Sequence, residues 1–210
     1  MAIPLEDEIW YPESDGEPMA ETQLHLQEMT YVIESLEERF RNDPGVFVAG
    51  NLFFYYQRGR RDAVVAPDAF VVKGLADGKS LRTKYLLWEE GGIPCFAAEM
   101  TSESTRKQDE GAKRELYERL GVEEYFLFDP EGDYLNPRLQ GYRLAGGWYR
   151  PVAPEPDGSL RSTTTGIDFR AEGNRLRLTD AATGAPYLRR SEMEERLRVL
   201  QAELDRLRGR

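Results

Sequence analysis

Histidine and cysteine are almost absent: the 210 residues contain one of each. Cys95 therefore has no partner for an internal disulfide, and a zinc site built from Cys and His would run short of ligands. A Ser-His-acid triad would have to use His25, which stands on an N-terminal helical segment with no G-x-S-x-G elbow nearby. A Cys95–His25 dyad fares no better, because Cys95 within "IPCFAA" reads as a small buried thiol. Any bound metal must then be held mainly by oxygen, which points to magnesium or manganese.

Long apolar runs are absent as well. No stretch reaches the ~18 apolar residues needed to span a bilayer, and "MAIPLEDEIW" lacks the basic start of a signal peptide. The expectation is a cytoplasmic protein with no membrane partner. The first 38 residues hold no Lys or Arg but eleven acids, so against a total of −10 the rest of the chain carries +1. An acidic arm ahead of a near-neutral body with local basic clusters is compatible with a polyanionic substrate.

A hydrophobic content of 40% lets the chain close one sizeable core. The reading is an irregular acidic arm over 1–20, punctuated by Pro4, Pro12 and Pro18, then one domain over 21–188 and a helix over 189–210. Within the domain, Leu24, Tyr31, Val32, Ser35 and Leu36 have the spacing of a helix from about Glu21 to Phe40, which "RNDPG" stops. "VFVAGNLFFYY" (46–56) and "DAVVAPDAFVV" (62–72) read as a hairpin whose basic tip is "QRGRR". Residues 73–93 read as a long surface loop.

A strand over 94–100, a helix over about 105–120 and a strand over 124–130 follow, predicting a crossover between two parallel strands. Thr105 and Gln108 suit a capping box and Gly121 a helix C-terminus. "YFLF" is apolar on both alternating faces, as a strand covered on both sides requires. Residues from "LQGYRLAGGWYRPV" to "NRLRLTDAATG" read as a short-stranded appendix. In the last segment Met193, Leu197, Leu200, Leu204 and Leu207 alternate spacings of four and three, a heptad pattern over barely two heptads that equally suits a single amphipathic helix packed on its own domain or on a neighbour. The class is α/β, a mixed sheet flanked by helices with a C-terminal amphipathic helix.

Three residues stand out chemically. Asp68 interrupts an apolar strand directly after Pro67, where an ionised carboxylate is costly unless paired or metal-bound. Glu99 ends the strand "CFAAEM" on the face it shares with Cys95 and Ala97, so small neighbours leave room beside it. On the following helix Asp109, Ala112, Lys113, Leu116, Tyr117 and Leu120 share one stripe, and the leucines mark that stripe as inward. Asp109 and Lys113 thus point toward the sheet, either as a structural ion pair or as part of a site.

"PDAFVV" followed by "AAEMTSESTRKQDEGAKRELYERLGVEEYFLFDP" closely resembles the Uma-type family of restriction endonucleases within the PD-(D/E)xK nuclease superfamily. The resemblance covers about residues 21–188. It implies a restriction-endonuclease-like fold and a magnesium- or manganese-dependent endonuclease acting on DNA, with metal-binding acids at Asp68 and Glu99. One departure is plain: two residues after Glu99 the superfamily motif has lysine, and this chain has Thr101. Lys113 is then the expected catalytic cation, reaching back from the helix. On this reading Arg58, Arg60 and Arg61 on the hairpin tip would contact phosphates, the protein would be a homodimer, and removing either acid would leave the apo protein no less stable. The alternative is a non-catalytic nuclease-fold module for binding or oligomerisation.

Overall fold

Why "YFLF" is apolar on both alternating faces becomes clear in the computed structural model, which describes residues 10–14 and 22–209. Strands β6 (Pro94–Met100) and β7 (Glu124–Phe128) lie side by side and parallel at the centre of a six-stranded sheet, whose order is β1 (Phe47–Ala49), β4 (Ala69–Val72), β6, β7, β8 (Leu139–Ala145), β9 (Trp148–Pro151). Both are fully buried. Helix α1 (Gln23–Arg39) and a separate antiparallel sheet of β10 (Leu160–Ser162), β11 (Ile167–Glu172) and β12 (Arg175–Asp180) cover one face. There Val32 and Leu36 meet Phe96, Met100, Phe126 and Phe169. On the other face Ala97, Tyr125 and Leu127 pack with Tyr117 and with Phe54 and Tyr85. A two-sided core of this kind requires the unbroken apolar pattern, since alternating strands would place polar side chains against one layer.

The expected hairpin divides into two. Its inner halves, β1 (Phe47–Ala49) and β4 (Ala69–Val72), pair antiparallel in the main sheet. Its outer halves, β2 (Phe54–Tyr55) and β3 (Val64–Val65), join β5 (Tyr85–Leu86) in a small third sheet. The break falls where both strands carry a residue unsuited to a straight ladder. Asn51 has a positive φ of 50° and donates its N–H to the Pro67 carbonyl at 2.8 Å. A side chain on Gly50 would collide with the Asp68 carbonyl and Ile33, and Pro67 has no N–H to give.

Other local expectations shift in detail. The segment read as a loop over 73–93 contains β5 and a short helix, α2 (Leu87–Glu90). Of the appendix, β8 (Leu139–Ala145) and β9 (Trp148–Pro151) extend the main sheet, and only β10–β12 stand apart. The crossover helix opens with a π-helical turn, Gln108–Lys113, before continuing as α3 (Arg114–Leu120). Thr105 does not form the expected capping box: its hydroxyl accepts from the Ser102 N–H at 3.0 Å, and the Gln108 N–H goes to the Thr105 carbonyl. Gly121 ends α3 in the left-handed conformation, φ 87°.

The chain closes with α4 (Arg190–Leu207), none of whose residues is buried. The acidic segment 1–20 lies outside the described residues except for 10–14, where Tyr11 is buried against Tyr55 and Trp88. Among the described residues no helix is long and apolar enough to cross a membrane.

Candidate active site

The two carboxylates singled out from the sequence meet where β4 begins and β6 ends. Antiparallel pairing sets Ala69 opposite Ala98, so Asp68 and Glu99 flank the same end of the ladder. Each is tied to the other strand's backbone. Asp68 Oδ2 accepts from the Met100 N–H at 2.6 Å, and Glu99 Oε2 receives a longer contact of 3.4 Å from the Asp68 N–H. The Glu99 side chain is 1% exposed and that of Asp68 17%, which makes Asp68 the side open to an incoming ligand.

The helix supplies the countercharge. Lys113 donates to Glu99 Oε2 at 2.9 Å and pairs with Asp109 Oδ1 at 3.0 Å, while Tyr117 donates to Glu99 Oε1 at 2.9 Å. Asp109, Lys113 and Tyr117 are spaced by four, and the wider π turn helps keep such a spacing on one face. Tyr125 fixes the turn from the sheet by donating to the Asp109 carbonyl at 3.0 Å. Thr101 supplies no cation. It is wholly buried, its N–H bonds the Phe128 carbonyl, and its hydroxyl finds no hydrogen-bond partner among the described residues.

A residue set aside in the sequence completes the cluster. His25, 2% exposed in the first turn of α1, brings Nε2 to 3.3 Å from Asp68 Oδ2. The available signal was its place on the buried stripe of α1 with Glu28, Tyr31, Val32 and Ser35. A polar residue on an inward stripe is costly unless it has a partner.

The cluster holds more negative than positive charge: Asp68, Glu99 and Asp109 face one ammonium and one imidazole. Burial is the main force raising the Glu99 pKa, to about 8; Lys113 opposes it, and Asp68 and Asp109 add to it. Burial disfavours the Lys113 ammonium too, but Glu99, Asp109 and Asp68 together hold its pKa above the usual lysine value. Lys113 therefore keeps its proton, and Glu99 takes one up more readily than an ordinary carboxylate. Burial, with Glu99 alongside, likewise raises Tyr117 and keeps its hydroxyl a donor.

The basic tip lies elsewhere, on the small sheet between β2 and β3. Arg58, Arg60 and Arg61 are exposed there. Arg60 is engaged by Asp62, and the Arg61 guanidinium lies 6.0 Å from the Trp10 ring centroid. The structure thus gathers Asp68, Glu99 and Lys113, adds His25 and Tyr117, and leaves the three arginines on another sheet.

Comparison with known proteins agrees with this architecture. The model of the Uma2 family, described as "Putative restriction endonuclease", matches residues 2–172. Among solved structures, a putative nuclease belonging to DUF820 from Anabaena variabilis is similar with a TM-score of 0.53 at 14% identity, over 76% of this chain and 89% of that one. At that identity the likeness establishes the fold. No curated protein matches the chain.

Proposed function

The chain belongs to the Uma2 restriction endonuclease family, and from that membership we propose a metal-dependent endonuclease that hydrolyses DNA phosphodiester bonds. In this reading Asp68 and Glu99 hold magnesium or manganese, and Lys113 aids activation of the attacking water. The observation that carries it is the meeting of Asp68 and Glu99 at the end of β6, with Lys113 donating to Glu99 and pairing with Asp109 beside them.

The residues suit a hard divalent ion in kind and in charge. Among the described residues no three His, Cys, Asp or Glu side chains form a ready-made metal cluster, so the donors are the two carboxylates completed by solvent or phosphate oxygens. The cluster's excess negative charge favours a cation, and Asp109, 1% exposed, meets Lys113 through Oδ1 while its Oδ2 has no hydrogen-bond partner among the described residues. A bound ion would polarise water and neutralise charge developing on the phosphate.

The chain's own groups do the remainder. An ammonium has three donors; two of those of Lys113 are directed at Glu99 and Asp109, which leaves one for a water or a phosphate oxygen. Tyr117 and the Asp68 N–H orient Glu99, and the Met100 N–H and His25 orient Asp68. Arg58, Arg60 and Arg61 would add phosphate contacts away from the reacting bond. Cytoplasmic DNA as substrate and a homodimer that presents two sites to one duplex belong to the same proposal.

A second reading has one observation in its favour. Both Glu99 oxygens are already taken by Lys113 and Tyr117, as they would be in a structural ion pair within a non-catalytic binding or assembly module. Titration calorimetry with magnesium and manganese, run beside plasmid nicking, separates the two. Ion binding that disappears in Asp68→Asn together with nicking supports the nuclease. A wild-type protein that binds neither ion and leaves plasmid intact supports the module.

A further inference from the structure

Helix α4 leaves the body with its direction fixed and its apolar stripe bare. Arg189, just before it, donates to Glu28 Oε2 and to the Leu176 carbonyl, both at 2.7 Å, with its guanidinium 3.8 Å from the Tyr31 ring centroid. Arg177 grips Glu192 through two bonds of 3.0 and 2.7 Å. Beyond this root Met193, Leu197, Leu200, Leu204 and Leu207 are 43 to 84% exposed. At about 1.5 Å per residue the 18-residue helix projects roughly 27 Å. Two heptads make a marginal coiled coil by themselves, so any occupant must gain contact beyond the stripe.

The root provides that contact. A groove of about 1050 Å³ opens between the C-terminal half of α1 and the start of α4, lined in part by Val48, Leu81, Leu188 and Met193, with Glu34 and Glu37 on its rim. None of Asp68, Glu99, Lys113 and His25 lines it. Met193 belongs both to the groove and to the stripe. A helix laid antiparallel along the stripe therefore runs its far end into the groove, whereas one laid parallel carries its far end away from it.

We propose that the occupant is α4 of a second copy, paired antiparallel about a two-fold axis, with the C-terminal turn of each helix seated in the other copy's groove. In the register that sets Met193 against Leu204 and Leu197 against Leu200 of the other copy, Arg196 of each helix flanks Glu203 of its mate. The symmetry makes that attractive pair twice. The next antiparallel register brings Glu203 against Glu203. The parallel arrangement leaves Arg196 beside Gln201. In the chosen register Arg206 and Arg208 approach Glu34 and Glu37, the groove's Arg39, Arg41 and Lys79 being engaged by Asp180, Glu38 and the Phe40 carbonyl, and Leu207, the most exposed residue of the stripe at 84%, is covered by the groove. This pairing does not depend on the nuclease reading.

Sedimentation velocity on the full chain tests it. Wild type is expected as a dimer at micromolar concentration, and Leu200→Glu as a monomer with unchanged far-ultraviolet circular dichroism. Glu203→Arg should raise the dimer dissociation constant about tenfold by turning two attractive pairs repulsive. Adding Arg196→Glu should bring it back toward wild type. A parallel pair would not recover, because Arg at 203 would still face Arg208. A monomeric wild type at tens of micromolar, a dimer that survives Leu200→Glu, or a double variant no tighter than Glu203→Arg alone would each overturn the proposal.

Discussion

Lys113 places its ammonium 2.9 Å from Glu99 Oε2 from a helix on the next element, while Thr101, two residues after Glu99 on the strand itself, is buried without charge. The cation has a different backbone origin but the same neighbour. If it serves catalysis, Lys113→Ala should cut plasmid nicking about a hundredfold or more, the usual consequence of deleting a group that stabilises transition-state charge. Lys107, exposed and six residues earlier, should be replaceable by Ala at little cost. Equal activity in the two variants would assign Lys113 to packing.

The two acids should differ in what their loss does to folding. Glu99 accepts from Lys113 and Tyr117 and is buried, so Glu99→Ala leaves the half-buried Lys113 ammonium with Asp109 alone and the buried Tyr117 hydroxyl without its acceptor. A cost of about 1–3 kcal/mol is expected, in place of the unchanged stability anticipated from like-charge repulsion alone. Asp68→Asn keeps an oxygen for the Met100 N–H and should melt near wild type while losing the ion. Thermal melts beside calorimetry check both, and equal melting temperatures for the two variants would count against the assigned contacts.

Glu124 gives a prediction about pH. Buried at the start of β7, it accepts from Ser162, Thr163, Thr164 and Arg143. Burial alone would raise its pKa, but those hydrogen bonds outweigh burial and hold it below 4.5. A lowered folded-state value means the stabilisation is present above about pH 4.5 and is lost as pH falls through the lower value. Glu124→Gln should therefore lower the melting temperature at pH 7 and flatten its decline below pH 4.5. A parallel decline in variant and wild type would refute the assignment.

On DNA, replacing Arg58, Arg60 and Arg61 by Gln should weaken binding alike for all sequences and reduce the salt dependence. Arg60 should contribute least, because Asp62 already neutralises it. Fluorescence anisotropy across a salt series measures the slope. An unaltered slope would make the tip a solvated turn.

Features that depend on local periodicity and punctuation were legible along the chain. The unbroken apolar pattern of "YFLF" marked a strand covered on both faces, Gly121 ended a helix, and the four-residue spacing put Asp109, Lys113 and Tyr117 on the inward stripe. Those features arise within a few residues of chain, where backbone geometry leaves few choices. Tertiary structure alone decided the rest. His25 reaches Asp68 because α1 packs across the sheet, a contact that no local spacing encodes. The strands around Gly50 and Pro67 separate into two sheets because two distant chain segments meet there backbone to backbone. The charge state of the cluster is likewise tertiary: burial raises the Glu99 pKa, and burial follows from the layers that close over the residue after its own strand is fixed.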